Sequence, residues 1–264
     1  MTSYVKKIRQ QFLPAYLLLI LLAALTIFTA SLYLHTFERD GRERAGRQLE
    51  SVSDLKISEL RQWRKERLGD AALFYRNKYF VDAFNLYLRD PTDSDTRDRL
   101  REWLRRLRES YSYDCVFLIA EDGTALVKWP EESADDPILA ASVPSASRSE
   151  GSDFQDYYLN PLDGRIYLAV LAPLRGPNGN GVLALRINPE LYLDPYIQRW
   201  PGDSRTAETL LVRREGEAVL FLNSLRHRTD TALMLRQPIL PDSDLPAIRA
   251  VLGHTGPFIG RDYR

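Results

Sequence analysis

Residues 115–129 read CVFLIAEDGTALVKW: two extended apolar runs on either side of Asp122-Gly123. Asp-Gly between alternating apolar residues is a strong short-range signal for a β-hairpin. An isolated hairpin is marginal in water, so the rest of a sheet must be sought on either side. Two further runs, RIYLAVLAPL (165–174) and GVLALRI (181–187), are joined by the turn-rich RGPNGN. They predict a second hairpin. Between the hairpins, residues 131–164 carry Pro137, Pro144, Gly151, Pro161 and Gly164 and read as an excursion across the sheet.

Upstream the period changes to helical. NKYFVDAFNLYLRD (77–90) predicts a helix ending before Pro91. Leu100, Leu104, Leu107 and Tyr111 predict another, with Ser94, Asp95 or Thr96 as its N-cap. From Glu38 to Arg76 there is no proline, and Ala45, Leu49, Val52, Leu60 and Trp63 share a stripe. That helix is a stalk or dimer seam, or it packs its stripe on its own domain. Both readings stay open at this stage.

Residues 12–35, FLPAYLLLILLAALTIFTASLYLH, contain no acidic or basic side chain apart from His35. The run exceeds the roughly 20 residues that a bilayer core requires. It also exceeds the apolar region of a cleavable signal peptide, which favours an uncleaved anchor. Lys6, Lys7 and Arg9 precede it and favour an inner N-terminus.

Downstream, LLVRREGEAVLFL (210–222) predicts a third hairpin about Glu215-Gly216, followed by a helical excursion through LPAIRAVLG (245–253). The linker before it predicts a short helix from Pro189 and a turn at Pro201-Gly202. Strand, turn, strand, excursion repeats the order begun at residue 115. The fold class expected is therefore α+β: an N-terminal transmembrane helix and long stalk helix, then two tandem PAS-like antiparallel modules, the second incomplete. The boundaries expected are 1–11 for a cytoplasmic tail, 12–35 for the span, 36–112 for the stalk and helical segment, 113–190 for a membrane-distal module, and 191–264 for the linker and a partial membrane-proximal module.

Composition limits function. The chain has 264 residues with 36 basic and 36 acidic side chains, so no global field calls for nucleic acid. A single cysteine, Cys115, excludes an intrachain disulfide and a cysteine-based zinc cluster. His35, His227 and His254 have no partner at metal-ligand spacing. GDSRT (202–206) lacks the glycine of a nucleophile elbow. The expectation is a chain that is no enzyme and needs no cofactor or metal.

The order of elements, and above all the junction YLDPYIQRWPGDSRTAETLLVRREGEAVLFLNSLRHR (192–228), resembles the double Cache sensory region of bacterial transmembrane receptors. That resemblance implies a sensor outside the inner membrane, feeding a histidine kinase or diguanylate cyclase output, with the given chain a C-terminally truncated part. It implies a small-molecule pocket between the distal sheet and the excursion. The candidates there are Trp129, Arg148, Asp153, Phe154, Asp156, Tyr157, Tyr158 and Arg165. Aromatic faces with a few fixed charges suit a small polar ligand: Asp153 or Asp156 for an amine, Arg148 or Arg165 for a carboxylate. Arg148-Ser149-Glu150 does not reproduce the Arg, Trp-Tyr motif by which some relatives hold amino acids, so the ligand class stays open. The partners expected are that ligand, the membrane and a second copy through the stalk. The competing reading is a tethered scaffold that binds a partner protein.

Overall fold

Strand β1, Cys115–Ala120, is buried along almost its whole length because it faces two cores at once. Val116 and Leu118 point to one, and Cys115, Phe117 and Ile119 to the other. Period-two alternation dictates that split. β2 (Ala125–Trp129) pairs with β1 antiparallel around the expected turn, where Gly123 takes φ +88°. The computed structural model describes residues 2–201, 204 and 206–263, with side chains from residue 18 onward.

β4 (Ile166–Gly176) and β5 (Gly179–Ile187) form the second hairpin, and β5 pairs with β1. β3, Asp153–Leu159, pairs with β4 and completes a five-stranded antiparallel sheet ordered β2-β1-β5-β4-β3. The excursion is thus more regular than its turn residues suggested. It folds as helix α4 (Pro137–Ala146), starting at a proline and capped by Asp136, and then as β3. Pro144 lies within α4, near its C-terminal end, inside a ten-residue helix that otherwise buries Leu139, Val143 and Ala146.

The opposite face is covered by α2 (Lys78–Arg89) and α3 (Ser94–Tyr111). Phe80, Phe84, Leu100, Leu104 and Leu107 meet Leu118, Val170, Leu183 and Leu185 there. Gly181 is needed at this contact: a β-carbon would run into the Ile119 carbonyl and the Phe84 ring. The cap of α3 is Asp93, one residue before the expected candidates. Its carboxylate accepts from the amides of Asp95 and Thr96 at 3.1 and 3.2 Å and from the Thr96 hydroxyl at 2.6 Å. Ser94, Asp95 and Thr96 therefore fall inside the first turn.

Helix α1, Thr2–Tyr75, contains both the apolar run and the expected stalk. Among the described residues it is the one helix long and apolar enough to cross a membrane. The chain divides into two compact units, Met1–Asp54 with Gly256–Phe258, and Leu55–Thr255 with Ile259–Arg264. In the first unit Thr29 and Thr36 turn their hydroxyls back onto helix carbonyls, each at 2.9 Å from one of them. Both hydroxyls are thereby satisfied on an apolar helix surface. Arg39 pairs with Glu43 at 3.1 Å one turn on.

The second unit also holds the linker and a smaller sheet. A 3-10 turn, Pro189–Leu191, leads into α5 (Leu193–Gln198), as the Pro189 signal predicted. The expected turn at Pro201-Gly202 involves Gly202, which lies outside the described residues. Ser204 accepts from the Ala207 amide at 3.1 Å, a turn bond of the kind its side chain favours. β6 (Val212–Glu215) and β7 (Ala218–Phe221) form the third hairpin, and a short strand β8 (Arg236–Pro238) pairs with β7. α6, Pro246–Val251, is the expected helix. Leu220, Leu222 and Leu233 join the α2–α3 core, while Val219 and Phe221 face Ala247 and Ile248 of α6. Arg213 adds a polar tie by pairing with Asp156 of β3 at 2.9 Å and Glu215 at 2.8 Å. The architecture is α+β, with an apolar N-terminal helix followed by antiparallel sheets.

Candidate functional site

Among the described residues of the five-stranded sheet, Arg186 is the one charged side chain that is buried, and it lies on the α4 face. Arg186 follows Val182 and Ala184 on the inward side of β5 and is only 1% exposed. Burying a guanidinium is costly unless carboxylates and acceptors surround it. Here Nε donates to Asp114 Oδ2 at 2.8 Å. Nη1 reaches the Ala134 carbonyl at 3.1 Å and Asp136 Oδ2 at 3.4 Å. Burial, the largest single influence, lowers its pKa, but Asp114, Cys115 and Tyr167 together outweigh it and the pKa is raised.

Aromatic rings complete the enclosure. The guanidinium carbon lies 4.2 Å from the Tyr167 ring centroid and 5.0 Å from that of Phe117. The Tyr158 hydroxyl donates to Asp136 Oδ2 at 2.7 Å, and that of Tyr167 to Asp163 Oδ2 at 2.9 Å. Burial drives both phenol pKa values upward, that of Tyr167 to about 12, so both remain donors. Asp136 also caps α4 through the Leu139 amide at 3.1 Å. One cation and two carboxylates thus meet between three rings, supplied by β1, β3, β4, β5 and the turn before α4. Every bond in this group is charge-assisted and directional.

Of the eight residues singled out from the sequence, Tyr158 belongs to this cluster. Tyr157 lies on the other face, its hydroxyl 2.9 Å from Asp194 of α5. Phe154 meets Trp63 edge-on at 6.0 Å, with the Arg64 guanidinium 5.2 Å from its centroid. Trp129 packs at the edge of the α2–α3 core. Asp156 is engaged by Arg213. Arg148, Asp153 and Arg165 are exposed and apart from the cluster. Arg186, Asp114, Asp136, Tyr167 and Phe117 were not singled out. A signal for Arg186 existed, since it has the same parity as Val182 and Ala184 in an otherwise apolar strand.

Among the described residues no group of His, Cys, Asp and Glu is placed to hold a metal ion. Cys115 is buried and its thiol is pushed up to about 11 by that burial, with the opposing pull of neighbouring donors and cations smaller.

No family model matches the chain, and no curated protein does. Among solved structures, the chain is similar to the sensor domain of the V. cholerae histidine kinase DctB, at 15% identity and a TM-score of 0.45 over 56% of this chain. It spans 57% of the length of that domain. It is similar to the ligand-binding domain of the Pseudomonas fluorescens chemoreceptor CtaA in complex with L-serine, at 12% identity and a TM-score of 0.48, covering 73% of this chain and 77% of that one. A third likeness is to the ligand-binding domain of the Campylobacter jejuni chemoreceptor Tlp3 in complex with L-norvaline, at 15% identity and a TM-score of 0.49, over 61% and 64% of the two chains.

Proposed function

We propose that this chain is the membrane-anchored, extracytoplasmic input region of a bacterial receptor of histidine kinase or diguanylate cyclase type, and that it binds a small polar molecule without transforming it. In this reading residues 12–35 are the anchor, 113–190 the ligand-binding module and 191–264 part of a second module. A second copy pairs along the exposed start of the 45–63 stripe, at Ala45 and Leu49, since Leu60 and Trp63 pack on this chain's own core. The supporting observation is the Arg186 cluster, a buried charged group ringed by aromatics on one face of an antiparallel sheet. A ligand that replaces Asp136 or Tyr158 at Arg186 favours one arrangement of α4 over another by no more than its difference in affinity for the two.

The test is thermal unfolding of the full chain in nonionic detergent against a panel of small polar metabolites. A ligand at 100 times its Kd adds about 2.7 kcal/mol. The expected result is a stabilising compound whose effect is lost in Tyr158→Phe. A panel without any stabilising member overturns ligand sensing. Reporter fusions that place residue 264 in the cytoplasm overturn the extracytoplasmic assignment. Cysteines introduced singly along 45–63 are expected to cross-link with helical periodicity at the exposed start of that range.

A further inference from the structure

Within the second unit, a cleft of about 320 Å³ opens between residues 58–66 of α1 and residues 192–196. Glu59, Trp63, Glu66, Tyr192 and Tyr196 are the lining residues that give it its chemistry, and none of the described lining residues is basic. The Tyr192 and Tyr196 rings are parallel within 5° with centroids 5.8 Å apart, and Tyr192 is 61% exposed. Lys56 stands beside Tyr196 and is acted on by both Glu59 and Arg199. Lys56 Nζ donates to the Tyr196 carbonyl at 2.7 Å and lies 4.9 Å from that ring's centroid. The Tyr196 ring thus already has an ammonium group against it.

The two carboxylates are engaged. Glu66 accepts from the Gln62 amide at 2.9 Å. Glu59 is hydrogen-bonded to the Tyr196 hydroxyl, whose pKa this bond pushes up to about 12. The lining therefore combines two carboxylates with aromatic faces while its strongest acceptors are partly occupied. A cation that brings no N–H donors fits that combination, since ring quadrupoles and carboxylate fields attract it without hydrogen bonds. We propose that this cleft binds a small quaternary ammonium compound. Its volume lies at the small end of the roughly 300–1,000 Å³ typical of ligand sites. A carboxylate on the same molecule would face Glu59 and Glu66 and be repelled. This site is separate from the Arg186 cluster and does not depend on it.

The experiment is isothermal titration calorimetry of the full chain in nonionic detergent with choline, tetramethylammonium and glycine betaine, against sodium chloride at matched ionic strength. Choline and tetramethylammonium are expected to bind, and glycine betaine at least tenfold more weakly. Tyr192→Ala, at an exposed ring, is expected to weaken choline at least tenfold and Glu66→Gln severalfold, with circular dichroism unchanged. Tyr158→Phe is expected to leave choline binding intact. Absence of binding by both cations overturns the proposal. So does binding unaffected by Tyr192→Ala and Glu66→Gln, or binding abolished by Tyr158→Phe alone.

Discussion

The hydroxyls of Tyr157 and Tyr158 engage opposite sides of one sheet: the first donates to Asp194 at 2.9 Å and the second to Asp136 at 2.7 Å. Two consecutive residues of β3 therefore fasten it to α5 on one face and to the cap of α4 on the other. Removing either donor leaves a carboxylate, half-buried at Asp194 and buried at Asp136, with one bond fewer. Tyr157→Phe and Tyr158→Phe are each expected to cost about 1–3 kcal/mol. The two losses should add in the double variant, since the partners lie on separate faces. Urea unfolding of the four proteins checks both statements, and marked non-additivity would show that the faces are coupled.

Asp194 supplies a pH signature. Burial raises its pKa above the ordinary carboxylate value, with the hydrogen bond from Tyr157 opposing in part. The folded state thus holds this proton more tightly than the unfolded chain does. The stabilising contribution is complete below the unfolded value, about 3.9, and is lost as pH rises through the folded one. Asp194→Asn keeps an acceptor for Tyr157 but removes the ionisation. Its stability relative to the parent should rise as the pH is raised above about 4 and level off above the folded pKa. Unfolding midpoints across that rise provide the check, and a difference that falls with pH contradicts the assignment.

Arg186 is expected to be the most costly single change. Arg186→Met strands Asp114 and Asp136, the latter with a side chain 1% exposed. Removing one partner of a buried pair typically costs about 3–5 kcal/mol. Adding Asp136→Asn should restore part of the loss, because one stranded charge is then gone while the α4 cap keeps an acceptor. Chemical denaturation of the single and double variants tests this. A loss below about 1 kcal/mol for Arg186→Met would be the value of an exposed pair and would mean that water reaches the cluster.

The hairpins were legible because their signals are local. Asp122-Gly123 sits between alternating apolar residues, and Glu215-Gly216 does the same for β6 and β7. The helices α2 and α3 were legible from spacing. β3 was not, since Asp153, Gln155 and Asp156 make it polar and turn residues surround it; its pairing with β4 is a tertiary fact. Nor was β8, a three-residue strand with one face exposed. The Arg186 cluster draws Asp114 and Asp136 from positions 72 and 50 residues away in the chain. No window of sequence contains that encounter. Parity along β5 predicts only that the arginine faces inward, not what neutralises it.

The order of strands also bears on how the chain stays dispersed. β1, β5 and β4, the most apolar segments, are interior to the sheet, while the rims are β2, with Lys128, and β3, with Asp153, Gln155 and Asp156. A rim with unpaired amides and carbonyls is a template for fibril growth, and charged side chains along it discourage a neighbouring chain from docking there. The sticky sequences are shielded by their own neighbours, and self-association through the sheet is disfavoured at both margins.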